Sequence, residues 1–275
     1  MFVIQCFENY FRHYDFILKP MMVQQDNLKS FLHETGEIFR FVLRFFREGF
    51  RPRYEVAEFV RQCFVIGYKS LPLVALTAFI IGLVLTMQLR PTMVKYGVDV
   101  QIPAMVGIAI VREIGPILTA LIFAGKIGSS IGAELGSMKV TEQIDAMEVS
   151  GTNPFKYLVV TRTLAAMLML PILVILADAI ALYGSYLGVN MYEPLTFNLF
   201  FKKVFDNLGY IDVIPAFIKT FFFGFAVGIV GSYKGYYSQK GTEGVGLSAN
   251  SSVVVSSVFI FIIDLIAVQI ADIFQ

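Results

Sequence analysis

Between Ser70 and Leu89 the chain runs for 20 residues without a charged side chain. A helix rises 1.5 Å per residue, so such a run covers about 30 Å, the thickness of the hydrocarbon core of a bilayer. In hydrocarbon every backbone N–H and C=O must find its partner within the segment, which at this length leaves the α-helix. With its approach residues this first span is set at about 66–89, and Pro72 is where it can bend. Four further apolar stretches follow, at about 101–125, 163–192, 211–233 and 248–271. The predicted fold class is therefore an all-α integral membrane protein with five transmembrane helices. Composition agrees: 56% of residues are apolar and 16% charged, where soluble domains carry about a quarter charged, and the mean hydropathy is +0.69.

Outside the spans, residues 1–27 form a Phe-rich extension with no assigned role and no clean signal-peptide pattern. Residues 28–50 read as an amphipathic helix. Leu28, Phe31, Leu32, Ile38, Phe39, Val42, Leu43 and Phe46 recur at three- and four-residue spacing, and Lys29, Glu34, Glu37, Arg40, Arg44 and Arg47 fill the other face. Aromatic residues opposite an Arg-rich face suit the headgroup region. Arg90-Pro91 is expected to close the first span, and 193–210 is expected to be a mixed loop. Sixteen Lys and Arg fall on the side of the N-terminus and the 126–162 connection, against four on the other side, namely Arg90, Lys95, Lys202 and Lys203. The positive-inside rule then predicts a cytoplasmic N-terminus and an external C-terminus. A net charge of +1 gives no field for nucleic acid. Cys6 and Cys63 are too few and too far apart for a disulfide framework. His13 and His33 both precede the spans, so no metal site is expected.

Five charges lie within the spans: Arg112, Glu113, Asp178, Lys219 and Asp264. Each would cost about 2.5–3.5 kcal/mol or more if left alone in hydrocarbon. Counted from the outer ends of their spans, all five sit roughly 12–20 Å deep, so they can form one layer in the outer half of the bilayer. Lys219 and Asp264, on consecutive spans, are the expected ion pair, with Asp178 as a candidate third member. Glu113 is expected to face a polar cavity. Arg112 and Glu113 point about 100° apart and cannot serve one partner.

The connection MKVTEQIDAMEVSGTNP, residues 138–154, predicts a short helix outside the membrane over about 141–150. Thr141 is its expected N-cap, with Glu142 in the first turn. Ile144 and Met147, with Ala146 beside them, are expected to give it a small apolar face, and Ser150-Gly151 and Asn153-Pro154 to end it. No GxxxxGK[ST] occurs. The glycines at 241, 244 and 246 lack the Lys-Ser/Thr that a phosphate cradle needs.

The block REIGPILTALIFAGKIGSSIGAELGSMKVTEQIDAMEVSGTNPFKYLVVTR, from Arg112 to Arg162, resembles the MlaE family of ABC permeases. So does GTEGVGLSANSSVVVSS with the Asp264 that follows. The likeness spans roughly residues 30–272. Lys126 stands where the family usually has Arg, which keeps the charge but loses the guanidinium fork. The resemblance implies a homodimer of five-span subunits in the bacterial inner membrane. It implies a cytoplasmic ABC ATPase dimer that binds ATP and Mg, an MCE-domain substrate-binding protein on the outer, periplasmic face, and in many systems a STAS-domain protein. It implies phospholipids or related lipids as cargo, no cofactor in this chain, and no ATPase activity of its own. It makes Thr141, Glu142, Gln143, Ile144, Asp145, Met147 and Glu148 a coupling helix, and Leu85, Gln88, Tyr96, Arg112 and Glu113 the lipid-contact residues. A membrane enzyme acting on lipids and an ion-coupled secondary transporter are the alternatives. The first lacks a convergent acid, base or nucleophile; the second could relay protons through Asp178, Lys219 and Asp264.

Overall fold

The computed structural model describes residues 36–50, 55–239 and 241–273. The 1–27 extension and residues 28–35 of the amphipathic segment lie outside the described residues. Helix α1 covers 36–49. Phe39, Leu43 and Phe46, four and three residues apart, are exposed along it, and Arg40 pairs with Glu37 at 3.1 Å.

From Glu48 onward the chain is a second unit, built from five long helices. These are α2 (Val56–Lys95), α3 (Asp99–Val140), α5 (Phe155–Asn190), α7 (Tyr210–Tyr236) and α8 (Thr242–Ile273). Two short helices join them, α4 (Gln143–Val149) between α3 and α5, and α6 (Phe197–Asn207) between α5 and α7. All five long helices are apolar and long enough to cross a membrane.

The helices overrun the expected spans. Helix α2 does not close at Arg90-Pro91 but carries Pro91 inside it and continues to Lys95. Proline removes one N–H, and so one hydrogen bond, and this in the last two turns of the helix, where water can replace it. Arg90 turns aside to Glu193 at 3.0 Å and lies 4.3 Å over the Tyr192 ring. Helix α3 likewise passes Lys126 and Glu134 to reach Val140 instead of ending near 125. The 193–210 segment is not a plain loop, because Phe200 and Val204 of α6 are fully buried against the start of α3.

Helix α5 is central, packed between α2 and α7, while α7 also meets α3 and α8. Lipid tails are as apolar as leucine, so such helices associate through close approach and polar contacts instead of through escape from water. A methyl group at Gly82 would collide with the Ala181 carbonyl, and one at Gly184 with that of Phe79. Ser185 Oγ donates across this seam to the Gly82 carbonyl at 3.0 Å. On α7, Gly224 and Gly228 let α5 approach, and Gly231 and Gly235 let α3 approach.

Candidate functional site

Three of the five intramembrane charges meet. Lys219 Nζ on α7 donates to Glu113 Oε2 on α3 at 2.7 Å and to Asp264 Oδ1 on α8 at 2.9 Å, and its side chain is 4% exposed. Glu113 therefore engages the lysine while remaining about a third exposed toward a small cleft that Arg112, Asp212 and Lys219 also line. Arg112 turns the other way and lies 3.5 Å from Asp212 at the start of α7, a partner that the sequence reading missed because Asp212 sits at the edge of its span. Asp178 does not join the lysine. Its Oδ1 presses on Gly115, where any side chain would collide with it, and finds no hydrogen-bond partner among the described residues.

Backbone geometry explains how adjacent residues serve separate partners. Residues Ile110–Ile114 form a π-turn, in which the Gly115 N–H reaches back five residues to the Ile110 carbonyl. Pro116 follows and has no N–H for the Arg112 carbonyl, so the ordinary four-residue ladder is already broken there. A second π-turn, Ala124–Gly128, contains Lys126. That ammonium donates to the Lys69 backbone carbonyl, a single-point contact that does not need a guanidinium fork.

Beside the charge cluster a groove of about 610 Å³ runs between α7 and α8. Its lining is almost wholly aliphatic and aromatic, including Ile214, Ile218, Phe222, Ile263 and Ile266, and Lys219 is its charged member. Among the described residues, α2 contributes nothing to it. Leu85 is half-buried against the bundle core, Gln88 is exposed, and Tyr96 is 72% exposed. Within the single chain these three do not line the clefts that hold Arg112 and Glu113.

At the opposite end, α4 differs from the expected helix at its start. Thr141 does not cap it. Its Oγ1 donates back to the Ser137 carbonyl at 2.8 Å and closes α3. Glu142 then takes a left-handed φ of 58°, alone among the described non-glycine residues, and the helix begins at Gln143. The far end is a Schellman turn: Gly151, φ 81°, donates to Glu148, and Thr152 to Met147. Ile144 is 1% exposed and Met147 is half-buried, so the expected outward apolar face points inward. The outward face carries Gln143, Asp145, Ala146, Glu148 and Val149, the last 91% exposed. Lys139 ties α4 to the end of α3 through Asp145 at 2.7 Å. Nearby, the buried Arg162 of α5 holds Glu134 of α3 at 2.8 Å.

A family model described as "Permease MlaE" matches residues 59–270. The chain is 42% identical over 214 residues to a probable ABC transporter permease protein of Rickettsia typhi, covering 77% of this chain and 82% of that protein. It is 32% identical over 228 residues to a probable ABC transporter permease protein of Synechocystis, covering 83% and 84%. It is also 31% identical over 213 residues to the intermembrane phospholipid transport system permease protein MlaE of Haemophilus influenzae, covering 77% and 81%.

Proposed function

Because the chain belongs to the MlaE permease family, we propose that it is the membrane-spanning subunit of an ATP-driven transporter that moves phospholipids or related lipids between membranes. One observation carries this reading: an apolar groove of about 610 Å³ with a carboxylate-clamped lysine at its wall. Acyl chains need a dry, extended surface, and a phosphate headgroup needs a fixed positive charge within reach. With both Glu113 and Asp264 on it the lysine belongs to a net-negative cluster, so Lys219 would present that charge to a headgroup when one of the two carboxylates moves away. Arg112, Leu85, Gln88 and Tyr96 would complete the lipid path from a second copy of the chain across a homodimer axis.

Energy would enter at the other end. The 141–148 segment would dock a cytoplasmic ATPase dimer holding ATP and Mg, with Val149, Glu148 and Ala146 as the contact face and Ile144 as its internal support. An MCE-domain protein would receive lipid on the outer side, and a STAS-domain protein would sit with the ATPase. This reading places the chain in a bacterial inner membrane, with the N-terminus and α4 in the cytoplasm and the C-terminus in the periplasm. The test is a mild-detergent pull-down with mass spectrometry of proteins and lipids, followed by lipid transfer from vesicles. A co-purifying ATPase and vanadate-sensitive phospholipid transfer are expected. Lipid movement by the chain alone, driven by a proton gradient, would overturn the reading in favour of an ion-coupled transporter.

A further inference from the structure

Asp178 is the intramembrane charge that neither ion-paired group takes in, and Gly115 shows what it faces instead. A side-chain carbon at Gly115 would overlap Asp178 Oδ1 and come within 2.9 Å of the Ile110 carbonyl oxygen. The carboxyl on α5 and the first carbonyl of the π-turn on α3 therefore crowd one small space. Both oxygens are hydrogen-bond acceptors while the aspartate is ionised. Oδ1 is buried and receives no N–H or O–H from the described residues. The Ile110 carbonyl accepts the Gly115 N–H and, with two lone pairs, has room for one more donor.

Little around the carboxyl supports a negative charge. The narrow cleft beside Gly115, between α2, α3 and α5, measures about 10 Å³, room for one water at most. An ionised carboxyl has about four lone-pair sites to satisfy. On α2 no charged residue lies between Ser70 and Leu89. Lys219 of α7 reaches Asp178 through space, but it donates at 2.7 Å to Glu113 of α3 and at 2.9 Å to Asp264 of α8. Arg112 of α3 lies 3.5 Å from Asp212 of α7. An ionised Asp178 would be a third anion around one buried lysine. A proton on Oδ1 removes that charge and turns two crowding acceptors into a donor and an acceptor.

We propose that Asp178 is carried as a neutral carboxylic acid whose O–H is donated to the Ile110 carbonyl, fastening α5 to the π-turn of α3. Arg112 and Glu113 both lie in that turn. Asp178 is thus a positioning residue, acting through the turn on the Glu113 clamp of Lys219. Loss of the proton would set a carboxylate against a carbonyl and release the turn. This role is independent of the cargo and the orientation proposed above.

Infrared spectroscopy reads the proton. The full chain, isotopically labelled at its aspartate side-chain carboxyls, would be studied in a maltoside detergent, which has no carbonyl of its own. At neutral pH exposed carboxyls are ionised. An un-ionised acid band that shifts with the label and on transfer to heavy water is expected, and it should vanish in Asp178→Asn. No such band, or a band that persists in Asp178→Asn, would overturn the proposal. Should Asp178→Asn fail to fold, Asp264→Asn and Asp212→Asn must both keep the band, and its loss in either overturns the assignment. The hydrogen bond is read by amide exchange of a peptide containing Gly115, corrected for the intrinsic pH dependence of exchange. Protection should fall about twofold to tenfold in Asp178→Ala, the range of one hydrogen bond. It should be retained in Asp178→Asn, whose side-chain amide keeps a donor. In the wild-type chain protection should fall as the acid band titrates away. Equal protection in the two variants, or a band that titrates with no change in wild-type protection, would overturn the fastening of α5 to α3.

Discussion

Replacing Lys219 with methionine should be a damaging change within the membrane. The lysine is 4% exposed and clamped at 2.7 Å by Glu113 and at 2.9 Å by Asp264. At about 4 Å between charge centres and an effective dielectric near 20, each attraction is worth about 4 kcal/mol. Desolvation of each ion takes back several kcal/mol, so the intact cluster contributes little net stability. Removing the cation is different, because two carboxylates are then left with no cation between them, Glu113 a third exposed but Asp264 only 13% exposed, at a cost of about 3–5 kcal/mol. Losing one carboxylate is milder, about 1–3 kcal/mol, because Lys219 keeps the other. The triple variant Lys219→Met, Glu113→Gln, Asp264→Asn removes every charge and should recover more than half of the loss. Thermal unfolding by circular dichroism of the chain in lipid nanodiscs reads this directly. At about 2–4 °C per kcal/mol, Lys219→Met should lower Tm by about 10 °C and the triple variant by less. If the triple variant instead shows the summed losses of the three single changes, the three groups act independently and the argument fails.

Three further outcomes follow from the packing. Gly184→Leu should cost several kcal/mol and abolish membrane accumulation, since any side chain there meets the Phe79 carbonyl; normal expression with an unchanged Tm would show that α2 and α5 can separate freely. Val149→Glu should leave Tm unchanged and abolish co-purification of an ATPase, whereas Ile144→Glu, buried at 1% exposure, should lower Tm on its own; equal effects on Tm would contradict the assignment of faces on α4. Glu134→Gln should destabilise the chain by about 2–4 kcal/mol, because it leaves the buried Arg162 cation uncompensated, and Arg162→Gln by less, because the half-exposed Glu134 left behind is solvated. Chemical denaturation of the two variants side by side measures that asymmetry.

The five spans were legible because charges are scarce in them, and scarcity is a property of composition that survives any detail of packing. Their ends were not legible. Arg90, Lys126 and Glu134 look like exits from the membrane, yet a helix that has left the hydrocarbon continues for as long as its neighbours pack against it. Asp178 and Glu113 were assigned by depth, which is one coordinate, whereas partner choice depends on the angle around the helix. The π-turn at Ile110–Ile114 shifts that angle, and the Gly115-Pro116 pair after it was the available signal. On α4, counting three-residue spacings found a stripe through Ile144 and Met147 but could not say which way it faced. Ala146 and Val149 have the same spacing and face outward.

These local surprises converge on one helix. Helix α3 carries Glu113 in its first half and ends at Val140, two residues before the left-handed Glu142 that starts the turn into α4. On the proposed reading, a displacement of α4 by an ATPase is delivered to the Lys219 cluster along about 40 Å of one continuous helix. That helix is not uniform, since its two π-turns, Ile110–Ile114 and Ala124–Gly128, are the places where an extra residue can be taken up or released without breaking the rod. The lysine's two carboxylates belong to different helices, α3 and α8. A shift of α3 at the nearer turn would therefore move Glu113 while Asp264 stays, which changes how the positive charge is shared. A cluster with two competing anions can change in that way at small net cost; a single buried pair could only break.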